Sequence, residues 1–291
     1  MTDDGAVALV TGAASGIGRA TAERFLADGW RVVAADLNAA AGKELAAGLS
    51  GTGELEFIKT DVSSEEDVAA AVARATETFG RIDCVFNNAG IGGAFGPITE
   101  LEAEDWDHTF AVLVRAVFLG IKHGARAMRA QGTGGSIVNT ASIAAFSAGA
   151  GPQAYSAAKA AVVNLGRSAA VELAPDRIRV NTVCPGLIAT PLLGRNEEQA
   201  RPVLDRVQPW PEMGQPEQVA SLVAFLAGDE ARFITGEAVA IDGGVTAAGP
   251  RLDDSVGGNP ALRGLVGANY GSTGRRSIVR RRLGENRGGT V

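Results

Sequence analysis

Cysteine and histidine are nearly absent from this chain, with two of each among 291 residues. Cys84 and Cys184 lie in apolar runs, DCVF and VNTVCPG, where a buried free thiol is the expected state. Two thiols so far apart give no disulfide framework. His108 and His123 fall in no ligand-spaced cluster, so no metal is expected. Long apolar runs are missing as well. The most apolar stretch, TFAVLVRAVFLGIKHGARAM (109–128), is interrupted by Arg115, Lys122, His123 and Arg126. A membrane-spanning helix needs ~20 apolar residues, which leaves core or subunit interface as the use of this segment. Net positive charge is lacking too: the balance is −6, which invites neither nucleic acid nor an anionic membrane. The first residues, MTDDGAVALVTG, begin acidic and do not read as a signal peptide. A reducing cytoplasm is the expected compartment.

What is present describes a soluble globular protein with a sizeable core: 46% hydrophobic and 21% charged residues. Seven short apolar runs recur along the chain: AVALVTG (6–12), RVVAAD (31–36), LEFIKTD (55–61), DCVFNNAG (83–90), GSIVNTAS (135–142), IRVNTVCPG (178–186) and EAVAIDGG (237–244). Near-continuous apolarity is the mark of strands covered on both faces. Helical patterns separate them at Ile17–Asp28, Asn38–Gly48, Glu65–Phe79, 109–128, Tyr155–Leu173 and Pro216–Leu226. Alternating strands and helices predict right-handed crossovers and an α/β, Rossmann-type, doubly wound sheet of seven parallel strands. That single domain is expected over residues 1–249. Residues 250–291 differ, with eight Arg, three acidic residues and nine Gly, a balance of +5 that leaves −11 on the rest. This tail is expected to be disordered or to pack on a neighbouring subunit.

The run TGAASGIG (11–18) follows the first strand and opens the first helix. Gly12 permits the tight turn, Gly16 lets the backbone approach a pyrophosphate, and Gly18 allows close helix–strand packing. Ser15 and Ile17 lie between them, at the helix N-terminus whose free N–H groups attract phosphate. Asp36 ends the second strand, 24 residues after Gly12. A carboxylate there accepts from ribose hydroxyls and repels a 2′-phosphate. Leu37 and Asn38 bring no cation, and neither do Ala14 and Ser15, so NAD(H) is expected over NADP(H).

Tyr155 and Lys159 stand four residues apart, on one face of a helix. A phenol of reference pKa ~10 is too weak an acid to exchange protons freely near neutrality. A neighbouring ammonium and a cationic nicotinamide ring would favour the phenolate and make Tyr155 a general acid and base. Ser142 ends the fifth expected strand at the carboxyl edge of the sheet, where open α/β folds bind ligands. Its hydroxyl can hold a substrate oxygen beside Tyr155.

Taken in order, TGAASGIG, Asp36, Asp61-Val62, NNAG (87–90), Ser142, Tyr155-x-x-x-Lys159 and CPGLIATP (184–191) resemble the short-chain dehydrogenase/reductase family over about residues 5–247. The resemblance implies that Asp61 and Val62 contact the adenine, and that Asn88, Ala89 and Gly90 line the cofactor channel. It also implies that Lys159 binds the nicotinamide ribose, and that Pro185, Gly186, Ile188 and Thr190 close over the nicotinamide. One family element is missing. The Asn that usually anchors a water beside the active lysine is here Leu113, in FAVLV, which puts the proton relay in question.

Phe95, Ile143, Gln153, Leu187, Leu192 and Trp210 are candidates for a mainly apolar substrate pocket, with Gln153 its polar member. The expected substrate is a hydrophobic secondary alcohol or its ketone. Two alternatives stand beside it: a reductase of carrier-bound 3-oxoacyl groups, and a non-catalytic NAD-binding scaffold or sensor. Relatives of this type pair their long helices between subunits, so a homotetramer is expected first and a dimer second.

Overall fold

Hydrophobic strands and capped helices alternate in the computed structural model, which describes residues 5–194, 197–248, 265–266 and 281–282. The strands are β1 Val7–Thr11, β2 Arg31–Asp36, β3 Leu55–Lys59, β4 Cys84–Asn87, β5 Gly135–Thr140, β6 Ile178–Pro185 and β7 Ala238–Ile241. They form one parallel sheet in the order β3-β2-β1-β4-β5-β6-β7. Every residue of β1 and of β4 is buried, as a strand covered on both faces requires. The chain leaves β1 towards β2 and β3, then returns to place β4 on the other side. This reversal opens a crevice above the carboxyl ends of β1 and β4.

The helices are α1 Gly16–Ala27, α2 Ala39–Gly48, α3 Glu65–Phe79, α4 Ala103–Phe110, α5 Ala116–Gln131, α6 Gln153–Leu173, α7 Glu197–Val207 and α8 Pro216–Ala227, with a single turn, α9, at Val245–Ala248. Their ends follow local chemistry. Ser64 caps α3 by accepting from the Asp67 N–H, three acidic residues fill its first turn, and Gly80 ends it at φ 79°. Gly132 ends α5 in the same left-handed way, at φ 77°. One hydrophobic core, containing Phe25, Val223 and Leu226, packs α1 and α8 on one face of the sheet. The other, containing Val72, Ile121 and Val162, packs α3, α5 and α6 on the opposite face.

Two elements depart from expectation. The long helix expected over 109–128 is helical from Ala103 to Gln131, but residues Ala111–Arg115 form a π-turn between α4 and α5. The Ala116 N–H reaches back five residues to the Ala111 carbonyl. Helix α7 was not expected, because Pro202 and a run of charges obscure its period and only Ala200 and Leu204 are buried. Among the described residues, no helix is long and apolar enough to cross a membrane.

The chain divides into two compact units, Met1–Ala247 and Ala248–Val291. In the second, Leu265 pairs with Arg282 and Val266 with Arg281 in a short antiparallel ladder. The remainder of the tail expectation lies outside the described residues.

Candidate active site

The glycine-rich loop begins where β1 ends. Gly12 has φ 65° and Gly16 has φ 52°, values that favour glycine. A Cβ on Gly12 would lie 2.8 Å from the Ala89 Cα, and one on Gly18 would collide with the Gly12 carbonyl. Gly16 faces Thr190, whose Cγ2 lies 3.3 Å from the place of a Cβ. The loop therefore leaves backbone, not side chain, at the start of α1. Ser15 precedes that helix with no capping bond from its exposed side chain, while the half-buried Ile17 packs into the core beneath.

Asp36 sits at the mouth of this loop. Its Oδ2 accepts from the Ala14 N–H at 2.9 Å and its Oδ1 from the Asn38 N–H at 2.8 Å. A carboxylate has about four lone-pair sites, so both oxygens keep capacity for a diol. The tie to Ala14 was not legible in the sequence, because its donor is backbone. Just after the neighbouring strand β3, the Asp61 carboxyl is held below its ordinary range by the hydroxyl and then the N–H of Ser63. Val62 lines a small cavity between the sheet and helices α3 and α5, with Leu9, Thr11, Asn87 and Ala89.

A brace spans the sheet reversal. The Thr11 hydroxyl oxygen accepts from the N–H groups of Asn88 at 2.9 Å and Ala89 at 3.1 Å. The Asn88 amide donates to the Thr11 carbonyl at 3.0 Å and accepts from the Thr140 hydroxyl at 3.4 Å. Asn88 thus links the ends of β1 and β5 with its side chain. Thr140 carries no motif signal, and Thr11, though it opens the glycine motif, was given no role of its own in the sequence.

Beyond β5, Ser142 begins a 3₁₀ turn, and its Oγ accepts from the Ala144 N–H at 3.1 Å. Tyr155 lies near the start of α6, with its ring seated against Gly151, where a Cβ would come within 3.0 Å of Cδ1. Lys159 is one turn further on. It is 4% exposed, its Nζ donates to the Thr140 carbonyl at 2.7 Å, and Nζ lies 5.6 Å from the Tyr155 ring centroid. Ser142, Tyr155 and Lys159 are therefore brought together at the carboxyl end of β5.

The electrostatics of the side chains by themselves favour the protonated phenol. Burial raises the Tyr155 phenol, and the Ser142 hydroxyl opposes this only in part. Burial also lowers Lys159 to about 8, against a smaller upward pull from Cys184. Without a further cation the pair favours a neutral phenol, because both groups are screened from water.

The segment Pro185–Thr190 crosses the glycine loop. Gly186 packs on Asp242, the Ala189 N–H donates to the Gly214 carbonyl at 2.8 Å, and Thr190 contacts Gly16. Ile188 is buried. The pocket candidates are less uniform than expected. Phe95 is 82% exposed, and Leu192 and Trp210 are exposed as well. The Trp210 indole donates to Glu212 at 2.7 Å, and the Gln153 amide to the Gly96 carbonyl at 3.2 Å. Ile143 is buried, and Leu187 packs against Ala200, Leu204 and Met213. Leu187 thus belongs to a small core shared with helix α7 rather than to an open wall. Asn139 accepts from the Asn87 amide at 2.9 Å, and Asn181 clasps Ile234 and Glu237, so both serve the sheet. Among the described residues, no group of metal-ligating side chains occurs.

Known proteins resemble this chain in sequence and fold. Residues 12–246 match the family model described as enoyl-(acyl carrier protein) reductase. A 3beta-hydroxysteroid dehydrogenase from Eggerthella lenta is 39% identical over 248 residues, 84% of this chain and 95% of that one. A cyclohexanol dehydrogenase from an Acinetobacter species is 41% identical over 241 residues, 82% of this chain and 94% of that one. The crystal structure of a short-chain type dehydrogenase/reductase from Mycobacterium marinum superposes with a TM-score of 0.78 at 34% identity, covering 84% of this chain and 96% of that one. With its seven-stranded parallel sheet and its match to a family model over most of its length, the chain belongs to the short-chain dehydrogenase/reductase family of oxidoreductases.

Proposed function

We propose that this protein is an NAD(H)-dependent dehydrogenase that interconverts a hydrophobic secondary alcohol and its ketone. The observation that carries the reading is the convergence of Ser142, Tyr155 and a buried Lys159 at one end of β5, beside the glycine loop. The cofactor site fits a dinucleotide by its own residues. Gly12 and Gly18 leave a cradle that a Cβ would fill, the α1 N-terminus offers free N–H groups, and the Asp36 oxygens face the loop. Asp36 favours NAD(H), because a 2′-phosphate beside an unneutralised carboxylate is repelled. Ser15, Ile17, Asp61, Val62, Asn88, Ala89, Gly90, Pro185, Gly186, Ile188 and Thr190 complete the proposed cofactor site.

A bound nicotinamide supplies the hydride acceptor or donor. The remaining chemistry belongs to side chains of this chain. The Ser142 hydroxyl donates to the substrate oxygen and fixes its position. The Tyr155 Oη takes the alcohol proton in oxidation and returns it in reduction. Lys159, pinned by the Thr140 carbonyl, holds positive charge near Tyr155 and is placed to bind ribose. Cyclic substrates of two relatives, a steroid and cyclohexanol by their names, support an apolar alicyclic substrate. Phe95, Ile143, Gln153, Leu187, Leu192 and Trp210 remain the proposed substrate neighbourhood, with Phe95 and Leu192 the members best placed to change contact.

The description of the matching family model favours a second reading, reduction of a carrier-bound acyl group. A panel of cyclic alcohols and ketones, run beside an acyl-carrier substrate with NAD and NADP in parallel, decides between them. Turnover of cyclic alcohols with NAD is expected. Turnover only with NADPH and the acyl substrate overturns the first reading. NADH binding without turnover of any substrate would leave a scaffold. In Tyr155→Phe, kcat should drop ~10²–10⁴-fold, the usual contribution of a general acid or base. A variant that keeps more than a few per cent of the rate would refute the mechanism. A homotetramer is the proposed assembly. The cytoplasm is the proposed compartment, in keeping with two buried free thiols.

A further inference from the structure

The loop after β4 runs along the helix that carries Tyr155. Near its start, the place of a Cβ on Gly90 lies 3.9 Å from the Lys159 Nζ. Further on, the Gly96 carbonyl accepts from the Gln153 amide at 3.2 Å. Gln153 and Lys159 flank Tyr155 on α6, so the chain between Gly90 and Gly96 passes the turn that bears the phenol. Midway, the Ala94 N–H donates to the Thr109 hydroxyl at 2.9 Å. That hydroxyl donates in turn to the Asp105 carbonyl at 2.7 Å, one turn back on α4. Thr109 is 1% exposed, and its methyl closes on Gly93, where φ is 71° and a Cβ would come within 2.6 Å of Cγ2. Phe95 stands between the two anchored residues, Ala94 and Gly96, yet is itself 82% exposed. Its backbone is held while its ring is bare, and an apolar ring kept in the open is covered only when something binds against it.

We propose that Thr109 and Gln153 are positioning residues that clamp the loop on either side of Phe95, making its ring the outer apolar rim of the substrate site. The Gln153 amide is then committed to the loop and not to the substrate. The rim discriminates by length: a multi-ring alcohol with its reacting carbon at Tyr155 reaches Phe95, and a single-ring alcohol does not. This inference rests on the dehydrogenase reading for its substrate, though not for the clamp.

Backbone amide exchange over residues 91–99 and steady-state kinetics, both on the full-length protein, test it together. Thr109→Val removes the acceptor of the Ala94 N–H, and Gln153→Met removes the donor to Gly96 from an exposed side chain. Each should speed exchange in this segment about 3–10-fold, the weight of one net hydrogen bond, while exchange in β4 and β5 stays as in the wild type. Thr109→Ser keeps the hydroxyl and should exchange like the wild type. The kinetic readout is the kcat/KM of the largest cyclic alcohol that the wild type turns over, relative to that of cyclohexanol. Phe95→Ala should lower this ratio about 10-fold, as lost burial of part of an aromatic ring implies. Thr109→Val and Gln153→Met should lower it about 3-fold or more, through KM rather than kcat. Unchanged exchange in both the Val and Met variants overturns the clamp, and so does a Ser variant that exchanges as fast as the Val variant. A ratio that falls in Gln153→Met without faster exchange also overturns it, because Gln153 would then touch the substrate itself. A ratio unmoved by Phe95→Ala overturns the rim. Because exchange needs no turnover, faster exchange in a protein inactive on every alcohol supports the clamp while removing the dehydrogenase reading.

Discussion

Tyr155 illustrates how burial and proximity pull against each other at a single side chain. Enclosure raises its phenol, so the protonated form persists, and ketone reduction is the direction in which that form is the ready reagent. Lys159 is displaced the other way, to about 8, and its charge is lost as pH rises through that value. Reduction should therefore hold steady below about pH 8 and decline above it as the ammonium nearby is neutralised. Initial rates of ketone reduction at saturating NADH across pH check this. A rate still rising beyond pH ~10, the reference pKa range of Tyr and Lys, would contradict it. Asp36 carries a second prediction. Replacing it with Ala removes both the acceptor for a ribose diol and the tie to Ala14. Hydrogen bonds to a charged group contribute ~1.5–3 kcal/mol, so the NAD-over-NADP ratio of kcat/KM should fall ~10–100-fold. Side chains proposed to act by their own chemistry, such as Asp36, Ser142, Tyr155 and Lys159, could be nominated from the sequence because their residue type carries the argument. Thr140 was not, because its tie to Lys159 is made by a backbone carbonyl, which every residue possesses.

Elements were legible where composition decides them. The seven strands match the expected runs: inner strands such as β1 and β4 are buried and apolar along their length, and the edge strands β3 and β7, half-buried to exposed, still keep an apolar majority. The π-turn was invisible, because one five-residue turn leaves the apolar spacing of a 3.6-residue helix almost unaltered. Helix α5 offers a test in which packing opposes propensity. Gly120 sits mid-helix, where Ala is intrinsically better by ~1 kcal/mol. Yet a Cβ there would collide with the Asn87 amide oxygen, in the side chain that bridges to Asn139. Overpacking of a close-packed interior costs ~1–3 kcal/mol, and a broken buried hydrogen bond adds to it. Gly120→Ala should therefore lower the urea midpoint despite its better helix propensity, and a raised midpoint would show that the Asn87 bridge can yield.

At the scale of the whole molecule, the doubly wound parallel sheet followed from the alternation of strands and helices, whereas assembly did not. Phe118 on α5 is 47% exposed and Val171 on α6 is 80% exposed. Apolar side chains left bare on these two helices are the surface from which the proposed tetramer would be built. Light scattering at micromolar concentration should give four copies of 29.7 kDa, and Val171→Asp should give a smaller species with its fold intact. A wild-type monomer would remove the assembly. The sheet reversal has a consequence of another kind. Strands β1–β3 and β4–β7 adjoin only along the β1–β4 seam. The cofactor loop lies on one side of that seam and Ser142, Tyr155 and Lys159 on the other. Neither half holds a workable site alone, so a chain nicked at the turn between α3 and β4 would report the rejoining of its two pieces as recovered hydride transfer.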